Sequence, residues 1–190
     1  NGTALLLKCG QAGDNVGRDG DVLTLGAPLK DADGNDFLNN TLERFTDMVG
    51  TQTYSSGIVI DRSTFEKDTG RVYGYNLDIS TSSTHDYASA VAAGAASTLG
   101  GFSGWQLTSK REQDNLDHYG VQGICSFAPW NLSFIGTKYF YSRTEYAGNT
   151  SLFWLSRENA NDQVLAKTTT NTTVRILIAR VFTWNGTSFS

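Results

Sequence analysis

Two segments in the middle of the chain have helical periodicity, and they constrain the fold more than any other feature. The first is rich in Ala and runs from Asp86 to Thr98. Its apolar stripe, with residues four positions apart, consists of Tyr87, Val91, Ala95 and Leu99. Ser83 and Asp86 have the spacing of a reciprocal N-cap, and Gly100 with Gly101 is expected to end the helix. The small residues allow this helix to approach a neighbouring sheet closely.

Ten residues separate the first helical segment from the second. Ser109 and Glu112 form a capping box, and the helix is predicted to run to about Tyr119, with Leu116 and Tyr119 facing inward and Gly120 ending it. A catalytic role for Ser109 would need a nearby His, and no motif supplies one. We therefore interpret Ser109 and Glu112 as capping residues.

The remaining apolar runs are short and bounded by Gly, Asp, Asn or Ser, which predicts strands joined by turns. The strand candidates are Leu5–Leu7, Val22–Leu25, Gly57–Ile60, Arg71–Tyr75, Ile124–Phe127, Lys138–Ser142, Ser151–Ser156 and Val174–Thr183. The last is apolar on both faces, which favours a central strand buried on two sides. Trp105 and Leu107, between the helices, are expected in the core. Two helices in the middle, flanked by antiparallel strands, predict a single α+β domain.

The charge balance argues against nucleic acid as a partner, and the short apolar runs argue against insertion into a membrane. The net charge is −4, and the 15 Lys and Arg residues are scattered, so the sequence has no basic stripe that would displace counterions from a phosphate backbone. No apolar run approaches the roughly 18 residues that span a bilayer.

The sequence also predicts no metal and no cofactor. Cys9 and Cys125 lie far apart and cannot supply a four-ligand zinc site, which leaves one disulfide or two buried thiols as alternatives. His85 and His118 belong to no cluster and are expected at helix ends, where capping or exposure explains them.

One segment resembles the start of a calcium-binding loop. Asp31, Asp33 and Asn35 imitate its first three oxygen ligands, but Asp36 replaces the required Gly and Leu42 falls where the bidentate Glu should be. We therefore favour a plain turn.

Four pieces of the sequence, in the same order, resemble one bacterial domain family. Gly100–Leu116 is similar to its G-x-W-R-L-P-T-x-x-E-L segment, with Gln106 and Thr108 in place of Arg and Pro. The other three are Arg44–Asp47, similar to R-F-x-D, Tyr141–Thr150, similar to W-S-S-T-E-Y-x-G-N-T, and Val174–Arg180, similar to the closing V-R-x-V-R strand. The family is the C-terminal domain of a collagen-like bacterial adhesin, which also occurs in phage tail proteins.

This resemblance implies a C-type-lectin-like fold and a homotrimer. It places the adhesin-type domain at residues 44–190. Residues 1–43 then form N-terminal strands and turns that serve as an attachment or intersubunit segment.

The late segment between Tyr139 and Trp154 combines aromatic rings with amide and guanidinium donors, which suits recognition of sugars or protein surfaces. The candidate ligand-binding residues are Tyr139, Tyr141, Arg143, Glu145, Tyr146, Asn149 and Trp154. The alternative is that half of these aromatics fill the core of a β region. In C-type-lectin-like folds the late loops form the recognition surface, which favours the binding role by analogy.

The sequence therefore predicts a non-enzymatic recognition module of a phage tail fibre or a bacterial surface adhesin. Its partner would be a glycan or protein on the surface of a host cell, and its location the virion or the extracellular surface. The alternative is a structural or decoration subunit of a virion, whose loops contact neighbouring subunits.

Overall fold

The computed structural model describes residues 6–8, 22–24, 30–38, 44–79, 83–116, 129–130, 139–157 and 163–190. Among these residues, two helices and mostly antiparallel strands confirm the predicted α+β class. The contacts divide the chain into two units, one of Asn1–Tyr75 with Arg180–Ser190 and one of Asn76–Ala179. The predicted boundary between residues 43 and 44 stays a prediction, because most of the residues before it lie outside the described ranges.

The strands and helices are short. The strands are β1 (Leu6–Lys8), β2 (Val22–Thr24), β3 (Phe45–Thr46), β4 (Ile58–Glu66), β5 (Arg71–Asn76), β6 (Ser83–His85), β7 (Gln106–Leu107), β8 (Tyr139–Tyr146), β9 (Asn149–Arg157), β10 (Gln163–Ala166), β11 (Asn171–Arg175) and β12 (Ile178–Thr183). The helices are α1 (Tyr87–Ala95) and α2 (Lys110–Leu116), with a 3-10 turn at Leu99–Gly101.

In the first unit, β1 pairs with β2, while β3, β4 and β5 are neighbours in that order. Strand β3 is antiparallel to β4, with Phe45 opposite Asp61. The buried apolar side chains here include Phe37, Ile58, Ile60, Val72, Tyr75 and Phe182. The ring of Phe37 stacks on Phe65 with centroids 3.8 Å apart.

A buried ion pair joins the strands β3 and β4 at the sequence piece Arg44–Asp47. Arg44 Nε and Nη2 donate to the two carboxylate oxygens of Asp61 at 3.0 and 2.8 Å. Asp61 is fully buried and also accepts from the Ser63 hydroxyl at 2.6 Å, while the guanidinium lies 4.6 Å from the centre of the Phe45 ring. Removal of one partner would leave the other buried charge uncompensated. This part of the family-like motif therefore fixes the start of β3 to β4.

The calcium-like segment forms a closed turn, as predicted. The carboxylate of Asp31 accepts hydrogen bonds from the backbone amides of Asp33 at 3.1 Å and Asn35 at 2.8 Å. Gly34 has a φ of 83°, a left-handed conformation that costs glycine little. The carboxylate thus satisfies backbone donors of its own turn.

A second turn has the same construction. Asp47 accepts from the amides of Val49 at 3.0 Å and Thr51 at 2.8 Å, and Gly50 has a φ of 82°. Both turns have the sequence pattern Asp-x-x-Gly followed by a polar residue, so the first unit uses one local solution twice.

In the second unit, five strands form a sheet in the order β10-β9-β8-β11-β6. Strand β11 is parallel to β8, and the other neighbouring strands of this sheet are antiparallel. Strand β7 pairs with the first two residues of β12, with Leu107 opposite Ile178. As predicted, Trp105 and Leu107 are buried, and the Trp105 indole donates to the Leu99 carbonyl at 3.2 Å.

Helix α1 lies directly against the backbone of β7. A Cβ atom at Gly94 would lie 2.6 Å from the amide nitrogen of Leu107, closer than real Cβ contacts allow. The close approach expected from the small residues is thus confirmed. The predicted stripe is partly wrong: Ala90 and Gly94 are the buried residues of the helix, and Ala95 is exposed.

The predicted start of this helix is also shifted by three residues. Ser83 lies in β6, and Asp86 is the N-cap, accepting from the Ser89 amide at 2.8 Å. The Ser89 hydroxyl in turn accepts from the Asp86 amide at 3.0 Å. Ser at the third helical position completes the reciprocal cap that Glu or Gln usually completes. The second predicted cap is confirmed, because Glu112 accepts from the Ser109 amide at 2.5 Å and its own amide donates to the Ser109 hydroxyl at 3.2 Å.

The prediction of one continuous strand over Val174–Thr183 is wrong. The segment forms β11 and β12, which belong to different sheets and are separated by Ile176 and Leu177. At the break, the side chain of Asn76 donates to the Ile176 carbonyl at 3.3 Å and accepts from the Ile178 amide at 2.8 Å. An apolar pattern on both faces therefore does not distinguish one long strand from two strands in series.

The other strand predictions divide into two groups. Strands within or overlapping the segments predicted around residues 5–7, 22–25, 57–60, 71–75, 138–142 and 151–156 are present. The predictions for Cys9, His118, Tyr119, Cys125 and the strand Ile124–Phe127 lie outside the described residues.

We expect Gly94→Ala to destabilise the chain by about 1–3 kcal/mol, because the added methyl would force α1 away from β7. Helix propensity alone would make the Ala variant more stable by about 1 kcal/mol. The sign of the change in stability therefore distinguishes the close contact from helix propensity. Urea denaturation measures it, with the exposed Ala92→Ser as a control that changes stability by less than about 0.5 kcal/mol. A stabilised Gly94→Ala variant would contradict the close approach.

Asp47 is expected to make stability depend on pH. Burial raises the pKa of its carboxyl, but hydrogen bonds from the Thr51 hydroxyl and from the amides of Thr51, Val49 and Tyr54 outweigh burial and lower the pKa below its ordinary value. Because the folded-state pKa lies below the unfolded one, the carboxylate stabilises the fold above the unfolded pKa. That stabilisation is lost as the pH falls through the folded pKa.

Asp47→Asn removes this titration. We expect the urea midpoint of the variant to fall less steeply than that of the native chain when the pH is lowered from about 6 to about 2.5. Parallel curves for the two proteins would show that Asp47 contributes no pH dependence.

Candidate functional site

The seven candidate residues lie on a β-hairpin formed by β8 and β9, not on a long loop. Both strands extend further than predicted, and only Ala147 and Gly148 remain between them. The hairpin lies within the sheet of the second unit, between β10 and β11. Its side chains are therefore divided between the two faces of a sheet.

Strand β8 contains a bulge at residues 142–144. Tyr141 pairs with Leu155 and Glu145 with Phe153, so β8 uses two more residues than β9 between these pairs. Residues inside a bulge lose ladder hydrogen bonds and need other partners. We call Ser142–Thr144 the bulge below.

The backbone of the bulge and of the residue before it bonds to elements beside the sheet. The Arg143 amide donates to the Thr108 carbonyl at 2.9 Å, and the Arg143 carbonyl accepts from the Tyr87 hydroxyl of α1 at 3.0 Å. The Tyr141 carbonyl accepts from the Gln113 amide group of α2 at 2.8 Å. Both helices thus hold the bulge in place.

Two hydroxyl side chains of the bulge also make internal contacts. The Ser142 hydroxyl donates to the Trp154 carbonyl at 2.7 Å. Thr144 Oγ1 accepts from the Lys110 amide at 2.9 Å, which satisfies one of the unpaired donors at the start of α2. The Ser and Thr of the family-like motif therefore have structural roles.

Tyr141 is a core residue, and its assignment to the ligand surface is a correction. Its side chain is fully buried, its ring contacts Phe153 with centroids 5.0 Å apart, and its hydroxyl donates to the His85 carbonyl at 2.7 Å. Tyr139 is partly buried and packs against the same cluster. The alternative prediction, that part of the aromatics fill the core, accounts for both residues.

Tyr146 and Trp154 lie on the opposite face of the hairpin. Phe153 and Leu155 belong to the core cluster, so the intervening Trp154 points away from it. The Tyr146 and Trp154 ring centroids are 5.5 Å apart at an interplanar angle of 68°. Val164 is directly opposite Trp154 on β10. We name this surface the aromatic face and define it by Tyr146, Leu152, Trp154 and Val164.

The aromatic face is ordered by its own contacts. A Cβ at Gly148 would lie 2.9 Å from Cε1 of Tyr146, so the tyrosine ring rests on the turn backbone. Tyr146 is 36% exposed, and Trp154, Leu152 and Val164 are partly buried. An edge-to-face pair of this kind contributes about 0.5–1.5 kcal/mol beyond burial, which limits ring motion before any ligand arrives.

The charged candidates are paired within the chain. Arg143 Nη2 donates to Glu112 at 3.1 Å. Glu145 forms an ion pair with Lys167, whose ammonium lies 4.9 Å from the centre of the Tyr87 ring. Glu145 pairs across the strands with the core residue Phe153 and therefore lies on the face opposite Trp154.

Asn149 occupies the turn end of β9. Its Oδ1 accepts from the Ser151 amide at 2.9 Å, which fixes the side chain, and it is exposed. The structure thus brings Tyr146, Trp154 and the turn residue Asn149 to one end of the hairpin. Tyr139, Tyr141 and Glu145 belong to the other face.

The described part of the chain contains no group of three or more His, Cys, Asp or Glu side chains that could hold a metal ion. Within the same residues, no helix has the length and apolar character needed to cross a membrane. The pKa of Asp86 is lowered by hydrogen bonds from the side chain and amide of Ser89, as its role as N-cap explains.

Comparison of the chain with protein-family models, with curated proteins and with solved structures finds no match.

Sequence reasoning missed the residues that support the hairpin, above all Gln113 and Thr108. Gln113 is fully buried and donates to both the Tyr141 carbonyl and the Thr108 hydroxyl. A glutamine within a short polar helix gives no signal of burial. Thr108 stands where the resembled family has Pro, and its amide donates to the Leu177 carbonyl at 3.0 Å, a bond that Pro would lack.

Replacement of Thr144 tests the support of the bulge. Thr144→Val keeps the shape but removes the acceptor of the Lys110 amide, and we expect it to lower stability by about 1 kcal/mol. Thr144→Ser keeps the oxygen and should retain most of the native stability. Equal urea midpoints for the two variants would exclude a structural role of this hydrogen bond.

Proposed function

We propose that the chain is a non-enzymatic recognition module, whose aromatic face binds a glycan or protein on the surface of a host cell. The observation that carries the proposal is the exposed ring of Tyr146 beside Trp154, on a hairpin that two helices hold in a fixed shape. Exposed aromatic rings with restricted motion bind partners at a low entropic cost.

The exposure of Tyr146 supports this assignment. Core packing accounts for Tyr141 and Phe153, but it gives no reason for a Tyr at position 146, where the ring remains more than a third exposed. Exposed large apolar side chains that cluster with a second aromatic are typical of interaction sites. Binding would exclude water from both rings.

A binding role also agrees with the pairing of the charged side chains around the hairpin. Arg143 is bonded to Glu112, and Glu145 to Lys167, so these groups stabilise the support of the hairpin. A general acid or base would need a carboxylate or imidazole available to a substrate. We therefore propose binding without catalysis.

We further propose a C-type-lectin-like fold for the family-like part of the chain, with assembly as a homotrimer on a virion or an extracellular surface. The support is the resemblance of four ordered motifs, together with the position of the motif Tyr141–Thr150 on the hairpin that carries the aromatic face. In such folds the late segments carry the recognition surface.

The double variant Tyr146→Ala/Trp154→Ala tests the binding role. Cells that bind the native full chain are first selected from a panel of bacterial and animal cells. We expect the double variant to bind these cells at least about tenfold more weakly, because truncation of aromatic anchors costs over about 1.4 kcal/mol of binding free energy. Val49→Ala is the matched control, since Val49 is 64% exposed and lies in the first unit.

Circular dichroism checks whether the double variant keeps its fold. Native binding to cells by this folded variant would contradict the proposed face. Binding by the native chain to virion subunits alone, and to no cell, would favour the decoration subunit instead.

A further inference from the structure

We propose that the aromatic face accepts an uncharged pyranose ring, stacked on Trp154 and bordered by Tyr146, without a metal ion. This inference rests on the proposed function and specifies its ligand class. The occupant is a neutral hexose unit of a surface polysaccharide.

The ring arrangement matches the shape of a hexose. The planes of the Tyr146 and Trp154 rings meet at an angle of 68°, so the two rings form a corner in which each ring is one wall. A pyranose has an apolar face of C–H bonds and a rim of hydroxyl groups. Its C–H face can pack on one ring while an edge contacts the other, and such contacts combine apolar burial with weak C–H interactions.

Beside the corner, the described residues directly after the turn are polar and uncharged. The turn continues into Asn149, Thr150 and Ser151, all of which are exposed. Asn149 is fixed through its Oδ1 by the Ser151 amide, and among the described residues its Nδ2 donates to no partner. A fixed amide at the rim of an aromatic surface can donate to a sugar hydroxyl. Small-molecule sites commonly have this composition of apolar walls and few oriented polar groups.

The distribution of charge favours a neutral ligand over an acidic one. Among the described residues, Arg143 of the hairpin and Lys167, next to β10, are bonded to Glu112 and Glu145. The Glu145–Lys167 pair also lies on the opposite face of the sheet from Trp154, as its register with Phe153 shows. A carboxylate or sulfate on the sugar would therefore lose water without gaining a cation, which is unfavourable.

The test uses the full chain and free monosaccharides. Saturation-transfer NMR is recorded with methyl β-D-glucopyranoside, methyl β-D-galactopyranoside and, as the charged counterpart of equal ring shape, methyl β-D-glucuronide. We expect signal transfer to the C–H protons of at least one neutral glycoside and about tenfold weaker binding of the glucuronide. Chelation of metal ions should leave the signal unchanged.

Variants locate the binding. Trp154→Ala is expected to weaken the neutral glycoside by about tenfold, Trp154→Phe by less, and Val49→Ala not at all. Preferred binding of the glucuronide, or unaltered binding by a folded Trp154→Ala variant, would overturn the inference.

The outcomes separate this inference from the function on which it rests. If cell binding requires Tyr146 and Trp154 but no neutral glycoside binds, the recognition role stands and the sugar is excluded in favour of a protein partner. If neither cells nor glycosides bind, both proposals fail.

Discussion

The bulge at residues 142–144 of β8 is the constraint on which the presentation of the hairpin depends. Its backbone leaves the ladder with β9, and its amide and carbonyl groups bond instead to Thr108 and Tyr87. Thr144 in turn accepts from the first amide of α2. Buried backbone groups must find partners, so these few bonds fix the orientation of the hairpin relative to both helices. The bulge also changes the register, and the register decides which side chains of β8 lie against the core.

That register explains why one family-like motif contains two kinds of residue. Ser142 and Thr144 bond to the chain itself, and Tyr141 fills the core. Tyr146, near the turn, contacts Trp154 on the other face. One run of polar and aromatic residues thus contains side chains that support the hairpin and a side chain that lies on its surface. In the first unit, two turns use the same hydrogen bond, from a backbone amide to the carboxylate of an Asp four residues earlier.

The sequence predicts the class of the fold well where signals are local. The capping pair Ser109–Glu112 and the small residues of α1 have local physical causes, and both are confirmed. The predicted cap of α1 lies three residues before the observed one, because Ser89 completes the box in place of Glu or Gln. The break between β11 and β12 depends on the side chain of Asn76, about 100 residues earlier in the chain. Such long-range contacts leave no periodic pattern in the sequence. The bulge that separates the candidate residues gives no such pattern either.

The most direct test of the account is a titration of the full, isotope-labelled chain with the surface polysaccharide of a cell that it binds, followed by backbone and indole NMR. If the aromatic face binds the polysaccharide, the shifts are concentrated at residues 144–154 and 164, with the largest at the Trp154 indole. Shifts confined to residues 44–75, with the hairpin signals unchanged, would contradict it.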